Sequence, residues 1–287
     1  MQASGRRNRG ALAFLLAPGV FWLTLFFVIP LIIVLIVSFS KRSLLGVVDY
    51  SFNLNNYLRL FDPDSPYLFI FLRSLGLALV NTILCLLLGY PFAFYIARQT
   101  PQRQKLLIFL VMVPFWTNFL IRTYALMFII RDTGLINTWL VNLGILDQPL
   151  QILFTPTAVR LGLLYGYLPF AVLPLYASIE QLDYNYVQAA QDLGANSLRV
   201  FLRVILPLTM PGVVAASIIT FIPALGDFIT PDLMGGGNTF LIGNVLQQQF
   251  LTVRDWPFGS AMGIGLMTLV LAATMIYFRT GASRQAG

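Results

Sequence analysis

Long stretches of consecutive apolar residues, separated by short polar segments, dominate the chain. Uncharged stretches near or above the ~18 residues that cross a bilayer as a helix recur along it. They are 11–37, 74–97, 161–179, 204–226 and 256–278. A further stretch, 106–130, is interrupted only by Arg122. The pattern predicts an all-α integral membrane protein with about six membrane-spanning helices.

The first apolar stretch is predicted to be a retained helix. A secretory signal peptide is shorter and ends at a cleavage site of small residues, whereas this stretch continues through Phe26-Phe-Val-Ile-Pro30. The predicted divisions are a basic tail at 1–10, a first membrane helix at 11–38, a membrane domain at 71–278 and a tail at 279–287. Two polar segments, about 41–67 and 131–156, are predicted to be outer loops because they contain turn-forming residues.

Basic residues predict the orientation. In a six-helix threading one side carries Arg6, Arg7, Arg9, Arg98, Arg103, Lys105, Arg199, Arg203, Arg279 and Arg284. That side, with both termini, is predicted to be cytoplasmic. On the other side acidic and basic residues cancel. The net charge of +7 is therefore explained by this bias and by attraction to anionic membrane lipid, and no basic cluster indicates a nucleic-acid partner.

Composition restricts the chemistry. Hydrophobic residues make up 58% of the chain and charged residues 10%, against roughly 25% charged in soluble domains. There is no histidine, and Cys85 is the only cysteine, which excludes an internal disulfide and the usual zinc or iron ligands. Cys85 is predicted to be a small buried hydrophobe. No catalytic or metal-binding residue is predicted.

A nucleotide site is absent from the sequence. The glycine-rich phosphate loop ends in Gly-Lys-Ser/Thr, but the only lysines are Lys41, in Ser-Lys-Arg, and Lys105, in Gln-Lys-Leu. If ATP drives this protein, another chain must hydrolyse it. An intramembrane enzyme is disfavoured by composition, and a stand-alone secondary transporter is disfavoured because few charges occur within the helices.

A polar, helix-compatible insert separates the apolar stretches 161–179 and 204–226. It contains Gln188-Ala-Ala-Gln-Asp-Leu-Gly194, and a second helix is predicted from Leu198 to Leu206. Gly194 can adopt the left-handed conformation that ends a helix, and Pro207 and Pro211 suit the first turn of the next one. One interpretation is a docking element for a partner; the other is an ordinary cytoplasmic amphipathic hairpin.

The insert resembles the EAA motif of permease subunits of ATP-binding-cassette (ABC) importers. The motif reads Glu-Ala-Ala, three residues, Gly, nine residues, Ile, any residue, Leu-Pro. The residues in its positions, together with Asp192, are the coupling residues that the resemblance implies: Gln188, Ala189, Ala190, Asp192, Gly194, Val204, Leu206 and Pro207. Gln188 stands for Glu and Val204 for Ile. In the family this short helix, within a coupling loop at about 180–206 here, inserts into a cleft of the ATPase and transmits its closure.

Further segments resemble the spermidine/putrescine branch of these permeases. They are Val113-Pro-Phe-Trp-Thr-Asn118 with Ile121-Arg122, Leu206-Pro-Leu-Thr-Met-Pro-Gly212, Asp232-Leu-Met-Gly-Gly236, Leu241-Ile-Gly-Asn244 and Arg254-Asp-Trp-Pro-Phe-Gly259. The resemblance implies the type I importer permease fold in a bacterial inner membrane. It also implies an ABC ATPase dimer carrying ATP and magnesium, a second related permease and an extracytoplasmic polyamine-binding protein, with no cofactor in this chain. An alternative is that a permease of the same type carries an inorganic anion, iron or an organic osmolyte.

Polar residues within apolar stretches are candidates for a substrate pathway. Asp227 follows Pro223 and Gly226, which are expected to unwind the helix and expose carbonyls to a cavity. One interpretation is that a passing polyamine cation pairs with Asp227; the other is that Asp227 lies at the outer interface, solvated or paired with a partner subunit. Pro114 marks either a surface facing the bundle interior or a simple kink. Arg122 is expected to reach the outer interface or to pair within the bundle. The predicted pathway residues are Asp227, Trp116, Asn118, Tyr124 and Tyr165, and Tyr167 is a further aromatic candidate for contact with ammonium groups.

Overall fold

The structure is a computed structural model that describes residues 4–43, 47–237 and 239–285. The described chain is mostly α-helical. The helices are α1 (Ser4–Leu23), α2 (Ile29–Ser38), α3 (Asn55–Phe61), α4 (Pro66–Ala97), α5 (Pro101–Met112), α6 (Phe119–Ile130), α7 (Leu135–Asn142), α8 (Pro156–Glu180), α9 (Asn185–Asp192), α10 (Ser197–Val200), α11 (Leu206–Leu208), α12 (Met210–Gly226), α13 (Ile229–Gly235), α14 (Ile242–Leu251) and α15 (Trp256–Gln285). Strands β1 (Lys41–Arg42) and β2 (Val48–Asp49) pair antiparallel.

Two kinds of helix with other hydrogen-bond spacing join these elements. The segments Thr24–Val28 and Phe201–Ile205 are π-helical, and Val113–Trp116 is a 3₁₀ turn. The π-helical segment Thr24–Val28 connects α1 to α2, and the π-helical segment Phe201–Ile205 connects α10 to α11. The predicted first membrane helix is therefore continuous to Ser38, and its helical conformation begins at Ser4, within the segment predicted to be a tail.

Within the described residues, three helical segments are long and apolar enough to cross a membrane: Phe14–Ser38, Pro66–Ala97 and Pro156–Glu180. Two bent pairs, Pro101–Trp116 with Phe119–Asn142 and Ser197–Leu208 with Met210–Gly226, raise this to as many as 5. Trp256–Ala272 is apolar but shorter. The predicted count of six spans therefore stays a prediction, while the all-α class is observed.

The predicted third span is not one straight helix. The axes of the segments Pro101–Trp116 and Phe119–Asn142 differ in direction by 94°. Pro114 lies in the 3₁₀ turn, Thr117 is extended, and the side chain of Asn118 caps α6 by accepting a hydrogen bond from the Leu120 amide at 2.8 Å. A proline and an N-cap residue so close together end one helix and start another. At Pro114 the chain thus has a complete break, where one of the two interpretations expected a simple kink.

The chain divides into two compact units. One contains Met1–Leu68 and Leu246–Gly287, and the other contains Phe69–Val245. In the first unit α15 packs against α2 and α3. Arg59 of α3 forms a salt bridge with Asp255 at 3.3 Å, and its guanidinium lies 4.1 Å from the centre of the Phe258 ring. These contacts tie the polar segment after α2 to the start of α15.

In the second unit α8 is the central helix, packed by α12, α13, α6 and α5. Gly212 of α12 shows how closely two helices approach there. A Cβ at Gly212 would meet the Ser178 side chain and would lie 2.7 Å from the Pro174 carbonyl oxygen. Only glycine fits this contact between α12 and α8. Cys85 is fully buried in α4, as predicted.

The predicted outer loops contain short elements that the sequence did not predict. The segment 41–67 holds β1, β2 and α3, and the segment 131–156 holds α7. In the latter, buried Asn137 donates to the carbonyls of Arg131 and Leu150 at 3.1 and 2.9 Å and accepts from the Leu150 amide at 2.8 Å. One amide side chain thus holds this loop in a defined shape.

Candidate functional site

The predicted coupling residues lie on a compact helical hairpin whose turn is set by Gly194. Helix α9 ends in a Schellman motif: the Gly194 amide donates to the Gln191 carbonyl at 2.8 Å, and the Ala195 amide donates to the Ala190 carbonyl at 3.1 Å. Gly194 has a φ of +81°, a conformation in which a Cβ is unfavourable. The predicted turn at this glycine is therefore observed.

A small hydrophobic core holds the hairpin together. Val187, Val200 and Ile205 are buried. Partly buried side chains packed against them are Phe94, Leu182, Ala190, Ala195, Phe201 and Val204. Asn196 caps α10 by accepting from the Arg199 amide at 2.9 Å. Since the core includes Phe94 of α4, the hairpin is packed on a membrane-spanning helix.

The outer surface of the hairpin is partly apolar. Gln188, Ala189, Asp192, Gly194 and Pro207 are exposed, whereas Ala190, Val204 and Leu206 are half-buried. Leu193, at the tip, is 89% exposed, and Leu198 is 66% exposed. The predicted coupling residues thus divide into an exposed set and a half-buried set.

Polar contacts of Arg98 and Thr209 connect the hairpin, and the segment that follows it, to the helices beside it. Arg98, directly after α4, donates to the Tyr184 hydroxyl at 2.9 Å, and its guanidinium lies 4.5 Å from the centre of the Tyr184 ring. Beyond α11, the buried Thr209 hydroxyl is 2.7 Å from the Tyr90 hydroxyl of α4, and the Thr209 carbonyl accepts from Ser178 of α8 at 3.3 Å. The hairpin is therefore bonded to α4 and, through Thr209, to α8.

A separate cavity of about 450 Å³ opens among α6, α8, α12 and α13. Most of the residues that line it are aromatic or apolar, and one acidic and one basic residue are among them. The lining residues are Phe115, Thr117, Phe119, Arg122, Gly166, Tyr167, Phe170, Pro223, Gly226, Asp227, Phe228 and Ile229. Helix α12 ends at Gly226 and α13 begins at Ile229, so the cavity lies at a break in the helical path, as predicted from Pro223 and Gly226.

Asp227 is buried in this break, with 7% of its surface exposed. Its Oδ1 accepts from the amides of Ile229 and Thr230 at 2.9 and 3.1 Å. Its Oδ2 accepts from the Thr230 hydroxyl at 2.6 Å and from the Tyr167 hydroxyl at 3.3 Å. These donors stabilise a buried carboxylate. Asp227 therefore lines a cavity and binds the amides at the start of α13. Its burial disagrees with a solvated position, whereas a position at the outer interface paired with a partner subunit stays a prediction.

Arg122 is also buried, with 7% exposed. One guanidinium nitrogen donates to the Pro114 carbonyl at 3.4 Å, and the Cζ atom lies 5.4 Å from the centre of the Phe119 ring and 5.7 Å from that of Tyr165. Among the described residues no carboxylate oxygen lies within 4.0 Å of it. Arg122 therefore faces the protein interior beside the break between α5 and α6.

The other predicted pathway residues lie outside the cavity lining. Trp116 is 74% exposed and packs edge-on against Phe109. Asn118 caps α6, and Tyr124 and Tyr165 are 47% and 44% exposed. Tyr167 and Thr230, which hold Asp227, were not among the predicted site residues, although Tyr167 was an aromatic candidate. The signal for Thr230 was available, since an aspartate shortly before Thr-Pro is typical of a helix start.

Comparison with known proteins gives consistent matches. Residues 9–282 match the family described as "Binding-protein-dependent transport system inner membrane component". The chain is 47% identical over 258 residues to the spermidine/putrescine transport system permease protein PotB of Escherichia coli (strain K12), with 90% of this chain and 93% of that protein covered. It is 46% identical over 258 residues to PotB of Haemophilus influenzae (strain ATCC 51907 / DSM 11121 / KW20 / Rd), with 90% of each covered.

Among solved structures, the fold is similar to that of a bacterial alginate ABC transporter crystallised in complex with an alginate pentasaccharide-bound periplasmic protein. The TM-score is 0.71 at 18% identity, and 96% of each chain is covered. At this identity the likeness concerns the fold alone. The predicted fold class, that of an ABC importer permease, is confirmed.

Proposed function

This chain belongs to the family of binding-protein-dependent transport system inner membrane components, and we propose that it is the permease subunit of an ABC importer that carries spermidine and putrescine. The observation that supports this choice of cargo is the 47% identity, over 90% of the chain, to a spermidine/putrescine permease. The chain is a multi-pass inner membrane protein and a transport subunit, not an enzyme.

ATP and magnesium bind, in this proposal, to a dimer of separate ATPase chains. The hairpin of α9 and α10 supports this arrangement, because it exposes the uncharged residues Gln188 and Ala189 and, at its tip, the apolar side chain of Leu193. The core beneath it and the bonds of Arg98 and Thr209 fix that face to the membrane helices. Closure of the ATPases would then displace α4 and α8 together with the hairpin.

The remaining partners follow from the same proposal. A second, related permease of the PotC type completes the membrane pore, and an extracytoplasmic polyamine-binding protein delivers cargo to the outer loops. The hydrogen bonds of Asn137 fix the shape of the segment 131–156, so that this segment can offer a constant surface to the binding protein. The hairpin side and both termini face the cytoplasm, in agreement with the distribution of basic residues.

The cavity at Asp227 is proposed as a cargo-contacting part of the pathway. Aromatic ring faces attract ammonium groups with about 0.5 to 2 kcal/mol each, and the rings of Phe115, Phe119 and Phe170 line this space together with the Asp227 carboxylate. Methylene groups of a polyamine would also fit an apolar wall. Arg122 opposes a second ammonium at its end of the cavity, so the cargo would enter with one ammonium directed at Asp227.

A second candidate cargo is a small anion carried by the same machine. The observation that favours it is Arg122, a buried guanidinium that lines the cavity with one long hydrogen bond to the protein. An anion would pair with Arg122 and avoid Asp227, whereas a polyamine does the reverse.

Uptake by vesicles decides between these cargoes and tests the energy source. Vesicles carrying the full complex would be assayed with labelled spermidine and putrescine, with and without ATP, and with sulfate or molybdate as competitors. ATP-dependent accumulation that unlabelled polyamine blocks and the anions leave unchanged is expected. Accumulation without ATP, or none of either polyamine, would refute the proposal.

A further inference from the structure

The Asp227 carboxylate has no free position for a cargo ammonium in this structure. A carboxylate offers about four lone-pair positions. Two are taken by the amides of Ile229 and Thr230 on Oδ1, and two by the hydroxyls of Thr230 and Tyr167 on Oδ2. A cationic cargo can therefore hydrogen-bond to Asp227 only after one of these donors leaves.

The four donors differ in how firmly they are held. The two amides belong to the first turn of α13, and the Thr230 hydroxyl makes a short bond of 2.6 Å. The Tyr167 hydroxyl lies 3.3 Å from Asp227 Oδ2 and equally 3.3 Å from the Pro223 carbonyl oxygen. Because one hydroxyl hydrogen serves two acceptors at long distance, Tyr167 can release Asp227 and keep a hydrogen bond.

The position of Tyr167 places this exchange at the cavity. Its side chain is 8% exposed and lines the same space as Asp227, Phe170 and Pro223. Pro223 lies in the last turn of α12, which ends at Gly226, and its carbonyl oxygen already lies within hydrogen-bond distance of the Tyr167 hydroxyl. The acceptor that would receive Tyr167 is therefore in place without any movement of the backbone.

We infer that Tyr167 is an exchangeable cover on Asp227 that sets the affinity of the permease for an ammonium-bearing cargo. Without cargo, the Tyr167 hydroxyl donates a hydrogen bond to Oδ2 and so stabilises its negative charge. When cargo enters, a charged ammonium, a stronger donor than a phenol, takes the position on Oδ2, and Tyr167 donates to Pro223. This inference rests on the proposed function in that the cargo carries an ammonium group. Tyr167 is a positioning residue, because it acts through Asp227.

The test is equilibrium binding of labelled spermidine to the purified complex of permeases and ATPases in nanodiscs, without the extracytoplasmic binding protein. Tyr167→Phe keeps the ring and removes the competing donor. We expect the Kd for spermidine to fall about three- to tenfold, as loss of one competing hydrogen bond implies. A purely structural role would instead weaken binding, so the sign of the change separates the two.

Two comparisons complete the test. Tyr176→Phe is the matched control, since Tyr176 lies on the same helix and donates to the Glu180 carboxylate at 2.6 Å, outside the cavity lining; its Kd should match that of the wild type. In an Asp227→Asn background, Tyr167→Phe should bring no further tightening, because the acceptor that it uncovers is gone. Tightening that persists without Asp227 would overturn the inference.

A second variant covers the case in which Tyr167→Phe fails to assemble. Thr230→Val frees a position on the same oxygen and should also lower the Kd. If the wild-type complex binds and transports spermidine but neither variant binds it more tightly, the role of Tyr167 is refuted and the proposed function stands. If the wild-type complex neither binds nor transports polyamine, the proposed function itself fails.

Discussion

The guanidinium of Arg98 lies over the ring of Tyr184, 4.5 Å from its centre, and donates to its hydroxyl at 2.9 Å. Arg98 follows α4 and Tyr184 precedes α9, so a single pair of side chains joins a membrane-spanning helix to the start of the coupling hairpin. Arg98 also lies 4.6 Å from the ring centre of Phe94, which belongs to the core beneath the hairpin.

Replacing Arg98 by alanine should weaken the transmission of ATPase closure. The cation–π contacts and the hydrogen bond together contribute on the order of 1 to 2 kcal/mol, so uptake per ATP hydrolysed should fall several-fold in reconstituted vesicles. Tyr184→Phe keeps the ring contact and removes only the hydrogen bond, so uptake per ATP hydrolysed should fall less than in Arg98→Ala. Arg103→Ala, on the neighbouring α5, is the control, because it also removes one positive charge. An equal loss of uptake in that variant would mean that the loss of charge, and not the loss of the Arg98–Tyr184 contact, causes the effect.

Gly194→Val should uncouple ATP hydrolysis from transport while leaving membrane insertion intact. The φ of +81° is strained for a side chain with a Cβ, at a cost of about 1 to 3 kcal/mol. A Cβ there meets no atom within 4 Å, so the cost is conformational and not a clash. Gly144, with φ +68° and equally open surroundings in the loop after α7, gives the control Gly144→Val. We expect uptake to fall about five- to tenfold only in Gly194→Val.

Leu193→Glu should weaken association with the ATPases without destabilising the permease. The side chain is 89% exposed, and substitutions at exposed sites usually change stability by less than about 0.5 kcal/mol. Co-purification of tagged permease with the ATPase chains measures the effect, and a loss of roughly tenfold is expected for a charge placed in an apolar contact. Leu143→Glu, at a 70% exposed position after α7, should retain the ATPases.

Asp227→Asn should reduce polyamine uptake by tenfold or more and leave the complex assembled. Asparagine keeps the Oδ1 bonds to the start of α13. Its amide nitrogen replaces Oδ2, so that a donor stands where two hydroxyls donated, and this costs about 1 to 2 kcal/mol of stability. Labelled spermidine uptake and the yield of intact complex are the two measurements. Asp232→Asn, an exposed acid of α13, serves as the control. Normal uptake in Asp227→Asn would reduce Asp227 to a helix cap.

Gly212→Ala should destabilise the permease by about 1 to 3 kcal/mol through overpacking. The new Cβ would lie 2.7 Å from the Pro174 carbonyl and clash with Ser178, which forces α12 away from α8. The melting temperature of the purified protein in detergent measures this. Gly76→Ala in α4, where a Cβ meets nothing within 4 Å, should leave the melting temperature unchanged or raise it slightly.

Much of the helical architecture was predictable because apolar stretches in a bilayer permit little else. The turn at Gly194 and the break after Gly226 were likewise predictable from local backbone chemistry. The bend of 94° after Trp116 was not, since proline and polar residues also occur in mildly kinked helices. Helix α7 and the β1–β2 hairpin were hidden within polar segments whose composition indicates only turns.

The surroundings of Asp227 were less predictable than its position. Its partner Tyr167 lies 60 positions away along the chain, and no periodicity links the two. For Arg122 the sequence left two positions open, the outer interface or a pairing within the bundle. The break at Pro114 turns α6 and leaves a carbonyl to which Arg122 donates. Contacts made by packing of distant helices determine the cavity, and a single sequence carries no local trace of them.

Helix α12 carries the close contact of Gly212 near its first residue and the carboxylate of Asp227 directly after its last. These ends are separated by roughly 24 Å at the rise of an α-helix. The packing of α12 on α8 and the lining of the cavity therefore depend on different residues of one helix. A substitution near Asp227 can reshape the cavity while the interhelical contact at Gly212 stays as it is, so the two properties can vary independently.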